Sequence, residues 1–104
     1  MRIELLHIES CPGHAHARVR LRAALDELGL SGVEVQEVLV RTPEQAARAS
    51  FAGSPTILVD GEDLFPARRS LVALACRVYP TEAGLADCPT RAQFIEALRA
   101  RVAS

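Results

Sequence analysis

A proline at the mouth of an interior-looking strand limits this chain more than any other feature. Thr56-Ile57-Leu58-Val59 is an apolar, β-branched run that reads as a strand, and Pro55 precedes it directly. Proline cannot donate to a ladder, so within sheets it is confined to edges, strand starts and bulges. The placement makes sense if the Ser54-Pro55 bond is cis and the missing hydrogen bonds face a ligand or a cysteine. Asp60-Gly61 then gives a hairpin turn signal, and Asp63-Leu64-Phe65 can return antiparallel.

The chain before this block alternates between two periods. Ile3 to Ile8 is a short apolar run and predicts a buried strand, with His7 as a packed residue making one hydrogen bond. From His14 to Leu28, Ala17, Leu21, Ala24, Leu25 and Leu28 recur at helical spacing, and Gly29 follows as a stop. Val33 to Val40 is β-branched and predicts a second strand, with an irregularity near Gln36-Glu37. Thr42-Pro43-Glu44-Gln45 combines an N-cap, a proline at the first helical position and a reciprocal cap, so a short helix should run from Pro43 to about Ser50. Thr90 and Gln93 repeat that cap before a terminal helix reaching Val102, with Phe94, Leu98 and Val102 as its apolar stripe and Ile95 on its flank.

The order strand, helix, strand, helix, hairpin, helix implies parallel pairing early and an antiparallel edge later. One α/β domain is expected over residues 1–104: a central mixed sheet of about four strands (β-α-β-α-β-β-α) flanked by helices. Residues 66–89, divided by Pro66, Pro80 and Pro89, form an extra segment expected to pack over one end of the sheet.

Cys11 stands between the first strand and the first helix, followed by Pro12 at a position where a missing N–H costs nothing. Sulfur there faces the unpaired N–H groups and positive dipole end of the first turn, which favour a thiolate. His14, one turn along, is positioned by spacing to stabilise a thiolate or accept the thiol proton. Ser10 could add a hydrogen bond.

Other functional classes find little support. The formal net charge is −1, no like-charge block occurs and aromatic residues make up 4% of the chain, which argues against nucleic acid. All twelve basic residues are arginine, scattered along the sequence. Arg2-Ile3-Glu4-Leu5-Leu6 lacks the apolar stretch of a signal peptide and no run is long enough to span a membrane. The expectation is a cytoplasmic protein with reduced cysteines. Three cysteines at wide spacing make no disulfide framework. Cys76, within Leu74-Ala75-Cys76, is expected to be buried, and Cys88 to be the more exposed thiol. Arg68 and Arg69 read as an ordinary exposed pair.

Together, Cys11-Pro12-Gly13-His14 after a strand, Gly53-Ser54-Pro55-Thr56-Ile57-Leu58-Val59 before a hairpin, and a final helix resemble the thioredoxin superfamily over residues 1–65 and 90–104. The resemblance implies a thioredoxin-like fold with cis-Pro55 beside an active Cys11. Its motif is a Cys-x-x-His variant of Cys-x-x-Cys, so no disulfide can form within it. The implied activity is monothiol thiol–disulfide exchange without a cofactor, with Cys11 and His14 catalytic and Cys76 or Cys88 available to resolve. Pro12, Ser54, Pro55 and Thr56 would shape the groove for a thiol or disulfide substrate, protein or glutathione-like. The Ser54 backbone would stay open to pair with it.

Two alternatives accompany that reading. One is a non-catalytic module of the same fold that binds a protein partner or a soft metal such as mercury, copper or zinc. Cys11, His14 and His16 lie close in sequence, but His16 is off their helical face and reads as solvated, so no closed metal site is expected. The other is a fainter resemblance to short alkylmercury lyase-like proteins, through the same Gly-Ser-Pro-Thr block, Leu64-Phe65-Pro66 and Ala75-Cys76-Arg77-Val78-Tyr79. It implies two thiols gripping mercury and Asp60 or Asp63 as proton donor.

Overall fold

The computed structural model describes residues 1–66 and 74–103. Strands β1 (Ile3–His7), β2 (Val35–Leu39), β3 (Thr56–Val59) and β4 (Glu62–Asp63) form one sheet in the order β2-β1-β3-β4. β2 runs parallel to β1, while β1–β3 and β3–β4 are antiparallel. Helices α1 (Pro12–Glu27), α2 (Pro43–Arg48) and α3 (Arg91–Ala103) complete the main body. A separate hairpin of β5 (Tyr79–Thr81) and β6 (Gly84–Ala86) lies within the segment the sequence left irregular.

Strand alternation sorts the core onto two faces. Ile3 and Leu5 of β1 and Ile57 and Val59 of β3 join Leu21, Leu25, Phe94 and Leu98 of α1 and α3. Leu6 and Leu58 point the other way and meet Val40, Ala46 and Phe51 around α2. A sheet covered on both faces explains why β1 and β3 read as continuous apolar runs rather than alternating ones.

The caps form as the sequence predicts. Thr42 Oγ1 accepts from Gln45 N at 3.1 Å, while Gln45 Oε1 accepts from Thr42 N at 3.3 Å. Thr90 and Gln93 repeat this at the start of α3, at 3.1 and 2.8 Å.

α1 begins at Pro12, the first helical position that this proline suits, so Cys11 is its N-cap. Two expectations change. β2 carries no irregularity: its ladder with β1 is unbroken from Val35 to Leu39. The apolar phase shifts there because Val35 packs toward α1 and Val38 toward α2, which leaves Glu37 on the α1 face. Val102 lies off the buried stripe of α3 at 54% exposure, past the end of the core. Arg68 and Arg69 lie outside the described residues, as do the other positions of 67–73.

Candidate active site

The C-terminal end of β1 delivers Cys11. Ser10 adopts a left-handed φ of 55°, and Cys11 follows as an extended N-cap with φ −95° and ψ 111°. Pro12 occupies the first helical position and the first turn holds no acidic residue. The Cys11 side chain makes no capping bond to that turn, and the residue is 7% exposed.

The loop before β3 packs against this turn. The Ser54-Pro55 peptide is cis. Ile8 N donates to Ser54 Oγ at 3.1 Å, tying the loop to the end of β1. Thr56 donates through Oγ1 to Gly53 O at 2.5 Å and accepts from Ala52 N, which locks the loop from inside. Tyr79 donates its hydroxyl to Pro55 O at 2.5 Å. Ser54, Pro55 and Thr56 are thereby all buried.

The open backbone expected at Ser54 is filled by the chain itself. Ser54 N donates to Ala75 O and Arg77 N donates to Ser54 O, both at 2.8 Å. Residues 75–77 thus run beside Ser54 as a one-bridge parallel strand centred on Cys76. Gly53 permits the approach: its φ is +106°, and a Cβ there would stand 2.9 Å from Arg77 Cβ. Arg77 is clamped in turn by Asp63 at 2.8 Å, by Phe65 O and by the Tyr79 ring, 4.5 Å from its guanidinium carbon.

This pairing reverses the expected roles of the later cysteines. Cys76 is exposed and Cys88 is fully buried. Cys76 reaches the surface because it stands on a short external strand, not on a core element. Its thiol is pushed above the ordinary range by desolvation, then by the charge of Cys11 and a hydrogen bond with it, with Asp87 adding to the effect. The raised thiol holds its proton at neutral pH, and the bridge to Ser54 seats Cys76 on the loop tied to the end of β1 that leads into Cys11. Cys88 belongs to the α1–α3 core. Arg20 donates to its sulfur at 3.0 Å, and the thiol donates to Pro89 O at 3.3 Å. Burial raises its pKa while Arg20 opposes the shift. Cys88 is a packed thiol.

His14 also departs from expectation. Its backbone N donates to Cys11 O at 3.1 Å, but its ring turns elsewhere: Nε2 meets Glu37 Oε1 at 2.5 Å, and the ring stacks on His7 at 3.5 Å between centroids. His16, expected to be solvated, pairs with Asp87 at 3.0 Å while keeping half its side chain exposed. Neither lyase-type proton donor reaches the thiols. Asp60 closes the hairpin at the far end of β3, where it accepts from Arg2 N, and Asp63 is held by Arg77. A larger cavity of about 570 Å³, lined by Phe65, Arg77, Tyr79, Pro89 and Gln93 among others, includes no cysteine in its walls.

Tyr79, the chain's single tyrosine, has its pKa pushed strongly upward by burial, with Arg77 opposing. The folded state favours the neutral phenol relative to the unfolded chain, whose tyrosine titrates near about 10. This contribution is present below that pH and is lost as pH rises through the folded value. We therefore expect stability to fall from about pH 10 upward. Tyr79→Phe should flatten that limb and lose about 1 kcal/mol at neutral pH, measured by denaturant unfolding at several pH values. An unchanged alkaline limb in Tyr79→Phe would exclude Tyr79 as its source.

Cys11 and Pro55 are readable from local punctuation in the sequence, but the placement of Cys76 is not. Nothing in Ala75-Cys76-Arg77 marks it as an external strand. No family model, curated protein or solved structure matches this chain.

Proposed function

We propose that this protein is a thioredoxin-like thiol–disulfide oxidoreductase in which Cys11 and Cys76 form the redox pair. One observation carries the reading: an exposed Cys76 is bridged to Ser54, on the cis-Pro55 loop that is tied to the end of β1 just before Cys11 caps α1. The missing second cysteine of a Cys-x-x-Cys motif is replaced by one supplied from a paired strand.

The chemistry is two successive exchanges. The Cys11 thiolate attacks one sulfur of a disulfide RS–SR′, forming a Cys11–SR bond and releasing R′S⁻, which takes up a proton. Cys76 then loses its proton and attacks the Cys11 sulfur, forming Cys11–Cys76 and expelling RS⁻, which is protonated in turn. Two electrons pass from the protein dithiol to the substrate. A thiol reductant of the glutathione class restores the starting state by the reverse sequence. Cys88, buried and held by Arg20, takes no part.

Oxidation of the protein with glutathione disulfide followed by peptide mapping tests this reading. The expected product is a single Cys11–Cys76 disulfide with Cys88 free, and reduced glutathione should regenerate the dithiol. A Cys88 crosslink or two unreacted thiols at Cys11 and Cys76 would sink it. The same adjacency favours a second reading, capture of a soft ion such as mercury(II) or copper(I) by the two sulfurs. Stoichiometric binding of such an ion, with no oxidation by glutathione disulfide, would select it.

A further inference from the structure

Three polar side chains stand together where the α1 face of the sheet would otherwise be apolar. His7 shares that face with Ile3 and Leu5, Glu37 shares it with Val35, and His14 comes from the first turn of α1. One donor atom from each lies within 4.8 Å of the others. Thiol exchange as described uses none of them.

We infer that His7, His14 and Glu37 form a binding site for a zinc-class divalent cation. Two imidazoles and a carboxylate are borderline donors that suit zinc, cobalt, nickel or iron(II), while softer ions prefer thiolates. Three protein ligands of this kind leave a coordination position for water. The inference stands apart from the thiol chemistry, because all three donors are nitrogen or oxygen.

Existing hydrogen bonds already orient the ligands. His7 Nδ1 lies 3.1 Å from Ile8 O. A carbonyl can only accept, so the proton sits on Nδ1 and the Nε2 lone pair is free. His14 Nε2 and Glu37 Oε1, 2.5 Å apart, share a proton whose place a cation can take. Binding requires two adjustments. The two rings are parallel within 4°, and no ion lies in the plane of both, so His14 must tilt away from His7. Donors around a tetrahedral ion are roughly 3.3 Å apart, so His14 Nε2 and Glu37 Oε1, now 2.5 Å apart, must also separate slightly. Arg18 competes for Glu37, with its Nε 3.4 Å from the same oxygen.

The test titrates cobalt(II) and zinc(II) into the reduced protein and into Cys11→Ser/Cys76→Ser. The expected result is one bound cobalt in both, with visible absorption but no intense thiolate-to-cobalt band in the double variant. Glu37→Gln removes a direct ligand and should weaken binding by at least the roughly 10- to 100-fold that loss of an outer-shell partner brings. Arg18→Ala, an exposed change that removes the competitor, should tighten it several-fold, which damage to the fold would not do. The absence of saturable binding in the double variant would overturn the proposal. So would unchanged affinity in Glu37→Gln, or no gain in Arg18→Ala.

Discussion

Cys76→Ser will accumulate as a mixed disulfide with glutathione at Cys11. The first exchange needs only Cys11, so the adduct should form; the second needs a thiol already in place, so the adduct should persist. An intramolecular thiol acts at an effective concentration far above that of free thiols, and its loss should slow release by at least about 100-fold. Cys11→Ser should form no adduct at position 11 and lose turnover altogether. Intact-mass spectrometry with peptide mapping reads both results. Rapid release from Cys76→Ser would remove Cys76 from the mechanism and leave a true monothiol enzyme.

Gly13→Ala will destabilise the fold, although it places a better helix former in a helix. In an open helical site the change gains about 1 kcal/mol. Here a Cβ would stand 2.4 Å from the Asp87 carbonyl oxygen and 3.1 Å from Pro55 Cδ. The first contact is with backbone, which has no rotamer to yield. Overpacking of this kind costs up to about 3 kcal/mol, so a net loss of about 2 kcal/mol is expected. The clash also pushes α1 away from Asp87 and the cis-Pro55 loop. Gly32→Ala is the control: a Cβ there meets nothing within 4 Å, and its stability should barely change. Chemical denaturation of both variants checks the contrast, and equal stabilities would mean that the Asp87 segment moves aside freely.

Local chemistry made much of this protein legible in its sequence. Two reciprocal Thr-x-x-Gln caps fixed the starts of α2 and α3, and a proline before an apolar run placed the cis peptide. Those signals lie within a few residues of what they specify. Contacts across long separations were hidden for the same reason. Cys76 joins the Ser54 loop only because two backbone hydrogen bonds link Ser54 to residues 75–77, and backbone pairing leaves no side-chain signature. The apolar neighbours of Cys76 therefore suggest burial, and Pro89 and the Thr90 cap after Cys88 suggest exposure there. Glu37 did leave a trace. The break in apolar phase between Val35 and Val38 resembled a bulge but marked a carboxylate turned toward two histidines on the helix-covered face. His7 continues the Ile3, Leu5 face at the same end of the sheet and carried the matching signal.

The strand at residues 75–77 also bears on selectivity. An extended polypeptide docking beside Pro55 would look for the amide and carbonyl of Ser54, and both are already engaged within the molecule at 2.8 Å. If the proposed exchange operates, a protein substrate would have to displace that strand, and with it the Arg77 clamp and Cys76. A small disulfide would need no such pairing. Under that proposal, competition between self and substrate for one peptide unit would favour low-molecular-weight disulfides over unfolded chains.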